Sequence, residues 1–252
     1  MSLRVLTAGC ARDLGIAAAD AVLDRLAARP NPVLGIATGS SPLPLYEELA
    51  RRARDLPPLR GFALDEYLGL PPGHPESYRE VVRREVIDPL GLDPAAVSVP
   101  DGGAPDPESA AAEYESLIRA AGGIDVQILG IGSNGHLAFN EPGSALDSRT
   151  RVVELAASTR EANARFFPSL DDVPTHALTQ GLGTIREACA LVLIASGAAK
   201  ADAVAAALTG PVTPDVPASV LQLHPDVTVV LAGGAASRLP EIQLAGGSSA
   251  AR

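Results

Sequence analysis

The sequence predicts an α/β protein, in which a single domain is built on an open, mostly parallel sheet with helices on both faces in a three-layer, Rossmann-like arrangement. Three observations support this prediction. Short apolar runs of strand length alternate with longer stretches of helical periodicity. Several of these apolar runs are continuous rather than alternating, as is typical of strands buried on both faces. The chain has 252 residues, 46% of them hydrophobic and 20% charged, which is enough for one substantial core.

The predicted strands are mostly bounded by Gly, Pro, Ser or Asp, and they cover residues 3–7, 33–37, 61–64, 125–129, 190–195 and 227–231. The predicted helices lie between them at residues 12–28, 42–54, 75–88, 107–121, 159–167 and 199–208. Ser41 before Pro42 predicts an N-cap for the second helix, and the spacing from Ser158 to Glu161 is typical of a capping box.

No fixed-period repeat or low-complexity linker divides the chain, so we expect one domain over residues 1–245. Residues 246–252 are small and polar, and we expect a flexible tail that carries no chemistry.

Charge and cysteine content exclude several classes of protein. Twenty basic and thirty acidic side chains give a net charge of −10, which argues against broad electrostatic binding of nucleic acid or of an anionic membrane. Cys10 and Cys189 lack a metal-type spacing, so neither a disulfide framework nor a zinc site is predicted. The N-terminal segment is too short and too charged for a signal peptide, and no window of eighteen apolar residues occurs. We therefore expect a cytoplasmic protein.

Ligands of open parallel sheets bind beyond the carboxyl ends of the strands. The first segment of this kind runs from a strand through Thr38, Gly39, Ser40 and Ser41 into a helix. Its backbone N–H groups, its hydroxyls and the positive end of the helix suit a phosphate, although a plain tight turn explains the pattern equally well. The segment lacks the spacing of NTPase and dinucleotide loops, so nucleotide binding is not favoured.

The second segment places two adjacent acids, Asp65 and Glu66, at the end of an apolar strand. Neighbouring side chains on extended backbone point to opposite faces, so only one of them is a candidate general base for a given ligand. A helix cap or a solvated loop edge is the alternative interpretation. Residues 69–78 are rich in turn-forming residues and are predicted to form one wall of a pocket.

The third segment, residues 128–143, carries a glycine-rich turn followed by His136. Asn134 lies two residues before this histidine and Glu141 five residues after it. A histidine exchanges protons near neutral pH, and a carboxylate beside its second ring nitrogen would fix the tautomer. A lone histidine is more often structural, but the glycine-rich strand end favours a catalytic role here.

Two cations follow small-residue turns. Arg165 lies in the fifth predicted helix, and Lys200, the single lysine of the chain, begins the sixth. Either could reach a phosphate, and either taken alone could equally be a surface charge.

Taken together, these segments resemble the glucosamine-6-phosphate deaminases of the glucosamine/galactosamine-6-phosphate isomerase family. The similar motifs occur in the family's order between about residues 33 and 230, at residues 64–71, 74–78, 135–142, 148–151, 159–167 and 221–225. The resemblance implies conversion of glucosamine 6-phosphate and water to fructose 6-phosphate and ammonia, with neither a metal nor an organic cofactor.

The resemblance also implies roles for the candidate residues. His136, oriented by Glu141, would move a proton from the anomeric hydroxyl to the ring oxygen, and Asp65 would move one from C2 to C1. The substrate phosphate would lie against residues 38–41, with Arg165 and Lys200 supplying positive charge.

The sequence departs from the family pattern at two places. Asn134 replaces an aspartate of the ring-opening group that many members carry, so Glu141 is expected to bear most of the charge stabilisation, with a shifted pH profile but no loss of function. Some members are hexamers activated by N-acetylglucosamine 6-phosphate between subunits. Ser144 and Arg151 match that site, but Val153 replaces its basic residue, so weak or absent activation is predicted. Monomer and homo-oligomer both stay open.

Three alternatives are weighed against this interpretation. The substrate could be another amino-sugar phosphate such as galactosamine 6-phosphate, since the motifs do not specify the epimer. A sugar-phosphate lactonase would share the glycine-histidine turn, but residues 65–67 and 139–142 argue against it. A non-catalytic sugar-phosphate sensor would need a DNA-binding element, and neither such an element nor a basic face is predicted. The expected partner is thus a small sugar phosphate, with no nucleic acid and no membrane.

Overall fold

The computed structural model describes residues 2–27, 29–52 and 58–240. Within them the strands are β1 (Ser2–Thr7), β2 (Val33–Ile36), β3 (Arg60–Ala63), β4 (Asp65–Tyr67), β5 (Val97–Ser98), β6 (Val126–Leu129), β7 (Arg151–Glu154), β8 (His176–Thr179), β9 (Ala190–Ser196) and β10 (Asp226–Ala232). Seven of them form a sheet of order β1-β10-β9-β6-β2-β3-β5, in which every pairing is parallel. All residues of β2 and β6 are buried, so the centre of this sheet is covered on both faces.

The helices described are α1 (Ala11–Leu26), α2 (Leu43–Arg51), α3 (Tyr78–Val82), α4 (Asp88–Leu90), α5 (Pro107–Ala120), α6 (Ala157–Asn163), α7 (Leu182–Arg186) and α8 (Ala201–Thr209). A π-helical turn, Arg83–Ile87, joins α3 to α4. Short 3₁₀ helices cover Pro94–Ala96, Ala164–Phe166, Leu170–Asp172, Ala198–Lys200 and Pro217–Leu223. Together with the sheet they confirm the predicted three-layer α/β class.

The main core lies between the large sheet and its helices. In α1, Leu14, Ala18, Val22 and Leu26 recur every four residues along one helix face, and all four are buried. Within the described ranges, no helix combines the length and the apolar character that a membrane span requires.

The remaining three strands form a small antiparallel sheet of order β4-β8-β7. One face of it packs through Leu178 and Val152 against Ala110 and Ala111 of α5. The opposite face carries Tyr67 and Ala177, which pack with Phe139 from the loop after β6. This small sheet was not predicted, because its strands have three or four residues and include charged side chains.

All six predicted strands are confirmed to within a residue or two, and the two-residue edge strand β5 was too short to predict. Both predicted caps are wrong. Helix α2 begins at Leu43 with Pro42 as its cap residue, so Ser41 lies one residue too early. Helix α6 begins at Ala157, so Ser158 lies inside the helix rather than at its N-cap.

Other predicted boundaries differ or cannot be compared. The predicted helix 75–88 is divided into α3, the π-helical turn and the start of α4. The predicted helix 159–167 ends as the 3₁₀ turn Ala164–Phe166. Residues 28, 53 and 54 of two predicted helices, the predicted domain end at residue 245 and the predicted tail at 246–252 all lie outside the described residues.

Candidate active site

A cavity of about 370 Å³ opens at the carboxyl edge of the large sheet, where the loops after β2, β6 and β9 meet β4 and α6. The predicted site residues that line it are Thr38, Gly39, Ser40, Ser41, Asp65, Asn134, His136, Arg165 and Lys200. Glu141, the remaining predicted residue, lies behind His136 and contacts it from outside the cavity lining. The structure therefore brings the ten predicted residues together at one place.

The turn after β2 forms one wall of the cavity. Gly39 has a φ of +91°, a conformation that disfavours any residue with a Cβ. The Tyr46 hydroxyl of α2 accepts from the Ala37 N–H at 3.1 Å and donates to the Ala37 carbonyl at 2.8 Å, which fixes the turn against the helix. Ser41 does not cap α2, and it lines the cavity.

Two cations line the same cavity as this turn. Arg165 lies in the 3₁₀ turn after α6, and Lys200 lies directly before α8. Within the described part of the chain, neither forms a salt bridge with a carboxylate. Burial, together with the like charge of Arg165, lowers the pKa of the Lys200 ammonium. An anion bound between these two groups would relieve their repulsion.

Asp65 is the first residue of β4, and its side chain is 5% exposed. Burial raises the pKa of its carboxyl well above the ordinary value, and the neighbouring charge of Glu66 adds to this effect. A carboxylate in such surroundings binds a proton more strongly than one in water, which makes it a stronger general base.

Glu66 points away from the cavity, as alternation along a strand predicts. Its carboxylate accepts from the backbone N–H groups of Tyr67, Tyr78 and Arg79, each at 2.8 Å. Burial nevertheless raises the pKa of Glu66. Glu66 therefore binds the start of α3, and Asp65 is the acid that faces the cavity.

The turn after β6 holds His136 against a glycine. The Gly132 N–H donates to the His136 carbonyl at 3.0 Å, and a Cβ built on Gly132 would lie 2.4–2.5 Å from three atoms of the imidazole ring. Only glycine leaves room for the ring at this place. On the far side, Nδ1 of His136 lies 3.4 Å from Oε2 of Glu141, an ion-pair distance without close hydrogen-bond alignment.

Glu141 is held by three polar neighbours. Its carboxylate accepts from the Asn134 amide at 2.7 Å and from the Thr159 hydroxyl, and it faces the His136 ring. Burial alone would raise the pKa of Glu141, but these contacts outweigh it and lower the pKa to about 2. Glu141 is therefore a fixed negative charge through the neutral pH range.

Asn134 connects the histidine to this carboxylate. Its carbonyl oxygen accepts from the His136 backbone N–H at 3.2 Å, while its amide donates to Glu141. An aspartate here could not donate to Glu141 unless it were protonated. The asparagine thus allows one negative charge, rather than two, beside the imidazole.

Sequence reasoning missed several side chains of this site. Tyr78 and Asn163 line the cavity, and Asn163 donates to the Tyr67 hydroxyl at 2.9 Å. Tyr78 lies at the end of the segment predicted to form a wall, and Thr159 and Asn163 lie in the motif at residues 159–167, but no role was predicted for these side chains. No group of three or more His, Cys, Asp or Glu side chains suited to a metal ion occurs among the described residues.

A cavity at the carboxyl edge of a parallel sheet, with acid/base groups of shifted pKa and two cations in its walls, is the arrangement expected of an enzyme that acts on an anionic substrate. The chain belongs to the family of glucosamine-6-phosphate isomerases and 6-phosphogluconolactonases, whose sequence model matches residues 7–230. The predicted family resemblance is thereby confirmed.

Individual relatives are similar over nearly their whole length. The glucosamine-6-phosphate deaminase of Pseudarthrobacter chlorophenolicus is 54% identical over 240 residues, which cover 94% of this chain and 93% of the relative. That of Rhodococcus opacus is 54% identical, with 90% of this chain and 89% of the relative covered.

Among solved structures, a monomeric glucosamine-6-phosphate deaminase has a TM-score of 0.89 and 40% sequence identity, and the match covers 93% of this chain and 99% of that one. The 6-phosphogluconolactonase of Trypanosoma cruzi has a TM-score of 0.76 at 21% identity, covering 94% of this chain and 97% of that one. The second similarity reflects a common fold.

Proposed function

We propose that this protein is a glucosamine-6-phosphate deaminase, which converts glucosamine 6-phosphate and water to fructose 6-phosphate and ammonia. One observation supports the proposal: Asp65 and His136, with Glu141 behind the imidazole, lie at a single cavity that Arg165 and Lys200 also line. Among the residues that the structure describes, neither cation forms a salt bridge. The relatives that are 54% identical over about nine-tenths of the chain carry the same activity in their names.

In this proposal the phosphate lies against the turn of residues 38–41, between Arg165 and Lys200. Backbone N–H groups and hydroxyls of the turn would bind its oxygens, and the cations would balance its charge. This local charge explains how a chain of net charge −10 binds an anionic substrate.

Ring opening is assigned to His136. The imidazole takes the proton of the anomeric hydroxyl and returns one to the ring oxygen, which gives the open-chain aldehyde. Glu141 keeps the ring oriented and carries the negative charge that balances the imidazolium during the transfer.

Isomerisation is assigned to Asp65. Its carboxylate removes the proton from C2 while the aldehyde oxygen takes up a proton from the substrate ammonium, which forms an enolamine. The carboxyl then returns its proton to C1, which leaves a protonated imine at C2. Water adds to that imine, and ammonia leaves. Because burial strengthens Asp65 as a base, it suits removal of a weakly acidic C–H proton, and the substrate ammonium would favour its ionised form on binding.

The test is to incubate the purified protein separately with glucosamine 6-phosphate, its galactosamine epimer and 6-phosphogluconolactone. We expect ammonia and fructose 6-phosphate in equal amounts from the first sugar, and a loss of at least about 10²-fold in kcat for Asp65→Asn. Turnover of the epimer alone would reassign the substrate. Hydrolysis of the lactone alone, or an undiminished rate for the variant, would refute the assignment.

We further propose that N-acetylglucosamine 6-phosphate activates this protein weakly or not at all. Arg151 already donates to Asn140 at 2.9 Å and to Ser144 at 3.3 Å, and Val153 offers no positive charge beside it. The rate should be a hyperbolic function of substrate with and without the acetylated sugar. A sigmoidal curve that the acetylated sugar made hyperbolic would contradict this.

We propose a cytoplasmic location, in keeping with the two free and exposed cysteines, Cys10 and Cys189.

A further inference from the structure

One row of residues crosses the small antiparallel sheet. Asp65 of β4 is paired with Thr179 of β8, and Thr179 is paired in turn with Arg151 of β7. Directly paired residues project to the same face of a sheet. The candidate base therefore shares its row and its face with Thr179 and Arg151.

The same row holds the loop that carries His136 and Glu141. The Thr179 hydroxyl accepts from the Phe139 backbone N–H at 3.1 Å, and the Arg151 guanidinium donates to the Asn140 side-chain oxygen at 2.9 Å. Thr179 and Asn140 are both 0% exposed, so water does not compete for these bonds.

Asn140 also bonds to another residue of the loop and to the residue that follows β8. Its amide donates to the Leu137 carbonyl at 3.0 Å and to the Gln180 carbonyl at 2.8 Å. Leu137 directly follows His136, and Gln180 directly follows Thr179. The loop is thus bound to the end of β8 through Phe139 and Asn140, and Asn140 also links Leu137 to this attachment.

The loop needs such support because its backbone is strained. Ala138, two residues after His136, has a φ of +52°, the only left-handed conformation among the non-glycine residues that the structure describes. This left-handed region is unfavourable for a residue with a Cβ, so surrounding contacts must hold Ala138 in it.

We infer that Thr179 and Arg151 are positioning residues, which hold the His136–Glu141 loop at a fixed distance from Asp65. The inference rests on the proposed function, because it concerns the relative placement of the two acid/base groups. The substrate phosphate binds to other elements, namely the turn after β2, Arg165 and Lys200. Loosening the row should therefore slow the chemistry and leave substrate binding nearly intact.

The first test compares three variants with the wild-type chain in steady-state kinetics with glucosamine 6-phosphate. Thr179→Val keeps the shape of the side chain but removes the acceptor, and we expect kcat to fall about 10- to 100-fold with KM unchanged within about threefold. Thr179→Ser restores the hydroxyl and should recover most of kcat. Thr228→Val removes a hydroxyl from a buried position of β10, away from the cavity, and should change neither constant.

All rates are taken at a temperature at which circular dichroism shows every variant folded, so that a loss of folded protein does not lower the apparent kcat. A kcat for Thr179→Val equal to that of Thr228→Val would overturn the inference, as would a rise in KM equal to the fall in kcat. Wild-type protein without deaminase activity would instead refute the proposed function.

The second test is a double-mutant cycle with Arg151→Met. Since both side chains act through the same loop, the double variant should lose less activity than the product of the two single losses predicts. Independent effects, in which the two fold-changes in kcat simply multiply, would show that Thr179 and Arg151 do not support a common loop.

Discussion

The contact between Gly132 and the His136 ring is close enough that the effect of a substitution at Gly132 can be worked out from distances. In Gly132→Ala the new methyl carbon would lie 2.4–2.5 Å from Cε1, Nδ1 and Nε2 of the imidazole. Non-bonded carbon atoms prefer about 3.5–4.0 Å, so the ring must move by about 1 Å. Such a displacement misplaces the imidazole relative to both Glu141 and the substrate.

A misplacement of about 1 Å can cost about 10²-fold in rate, which corresponds to about 3 kcal/mol of activation free energy. We therefore expect kcat of Gly132→Ala to fall by about this factor. KM should stay within about threefold, because the residues proposed to hold the phosphate lie on other elements. The fold should persist, since the obstructing atoms belong to one side chain rather than to backbone.

The assay is steady-state ammonia release, with Gly9→Ala as the matched control. A Cβ at Gly9 would meet only Asp13 Oδ2, at an ordinary distance of 3.6 Å, so this variant should retain wild-type rates. Wild-type kcat in Gly132→Ala would refute the assignment of ring opening to an imidazole held at this place. A loss of folded protein in the variant would refute the reasoning about its stability.

Three further predictions concern charge. Because the pKa of Glu141 is lowered from 4.5 to about 2, its ionised form stabilises the fold above pH 4.5, and this stabilisation is lost as the pH falls towards 2. In urea unfolding, the free energy of unfolding of the wild type should exceed that of Glu141→Gln by at most about 3 kcal/mol at pH 7, and by less at pH 3. The raised pKa of Asp65 acts in the opposite direction, since its contribution to the stability of the fold is present below pH 3.8 and is lost as the pH rises through the raised pKa. Asp65→Asn should therefore unfold at a higher urea concentration than the wild type at pH 7, with a smaller difference at pH 4. Equal unfolding midpoints at both pH values would contradict this. Lys200 is the single lysine, so its reaction with an amine-specific label can be followed by mass spectrometry of one peptide. This labelling should slow several-fold in inorganic phosphate but not in chloride at equal ionic strength, and Lys200→Met should raise KM at least about tenfold. Labelling at the same rate with and without phosphate would show that Lys200 does not belong to the phosphate site.

The sequence predicted the large sheet well because burial on both faces leaves a clear signal. Strand β2 is a continuous apolar run and β6 is interrupted only by Gln127, and both are buried throughout. The small sheet left no such signal. The strand Asp65–Tyr67 begins with two acids, and Arg151–Glu154 has a charged residue at each end; they become strands only because β8 lies between them. The pairing of β4 with β8, more than one hundred residues further along the chain, is a tertiary property that local pattern does not encode.

The same distinction separates the predicted site residues from those that were missed. The residues in the loops after the strands could be predicted, because a parallel sheet brings its carboxyl edge to one place. The contacts of Thr159 with Glu141 and of Thr179 with Phe139 depend on how α6 and β8 pack against the loop. Thr159 begins one of the motifs that resemble the family, but the local sequence of neither threonine indicates which group its hydroxyl contacts.

The two carboxylates assigned to the reaction show why their surroundings, rather than their residue types, determine their roles. Asp65 is buried beside another acid, Glu66, so its pKa is raised and it can exchange a proton with carbon. Glu141 lies among Asn134, Thr159 and the imidazole, so its pKa is lowered and it stays ionised. Opposite shifts of two acids in one site are the arrangement expected when one acts as a base and the other as a fixed charge. If the two environments were exchanged, the same two side chains would no longer have the pKa values that suit the roles assigned to them.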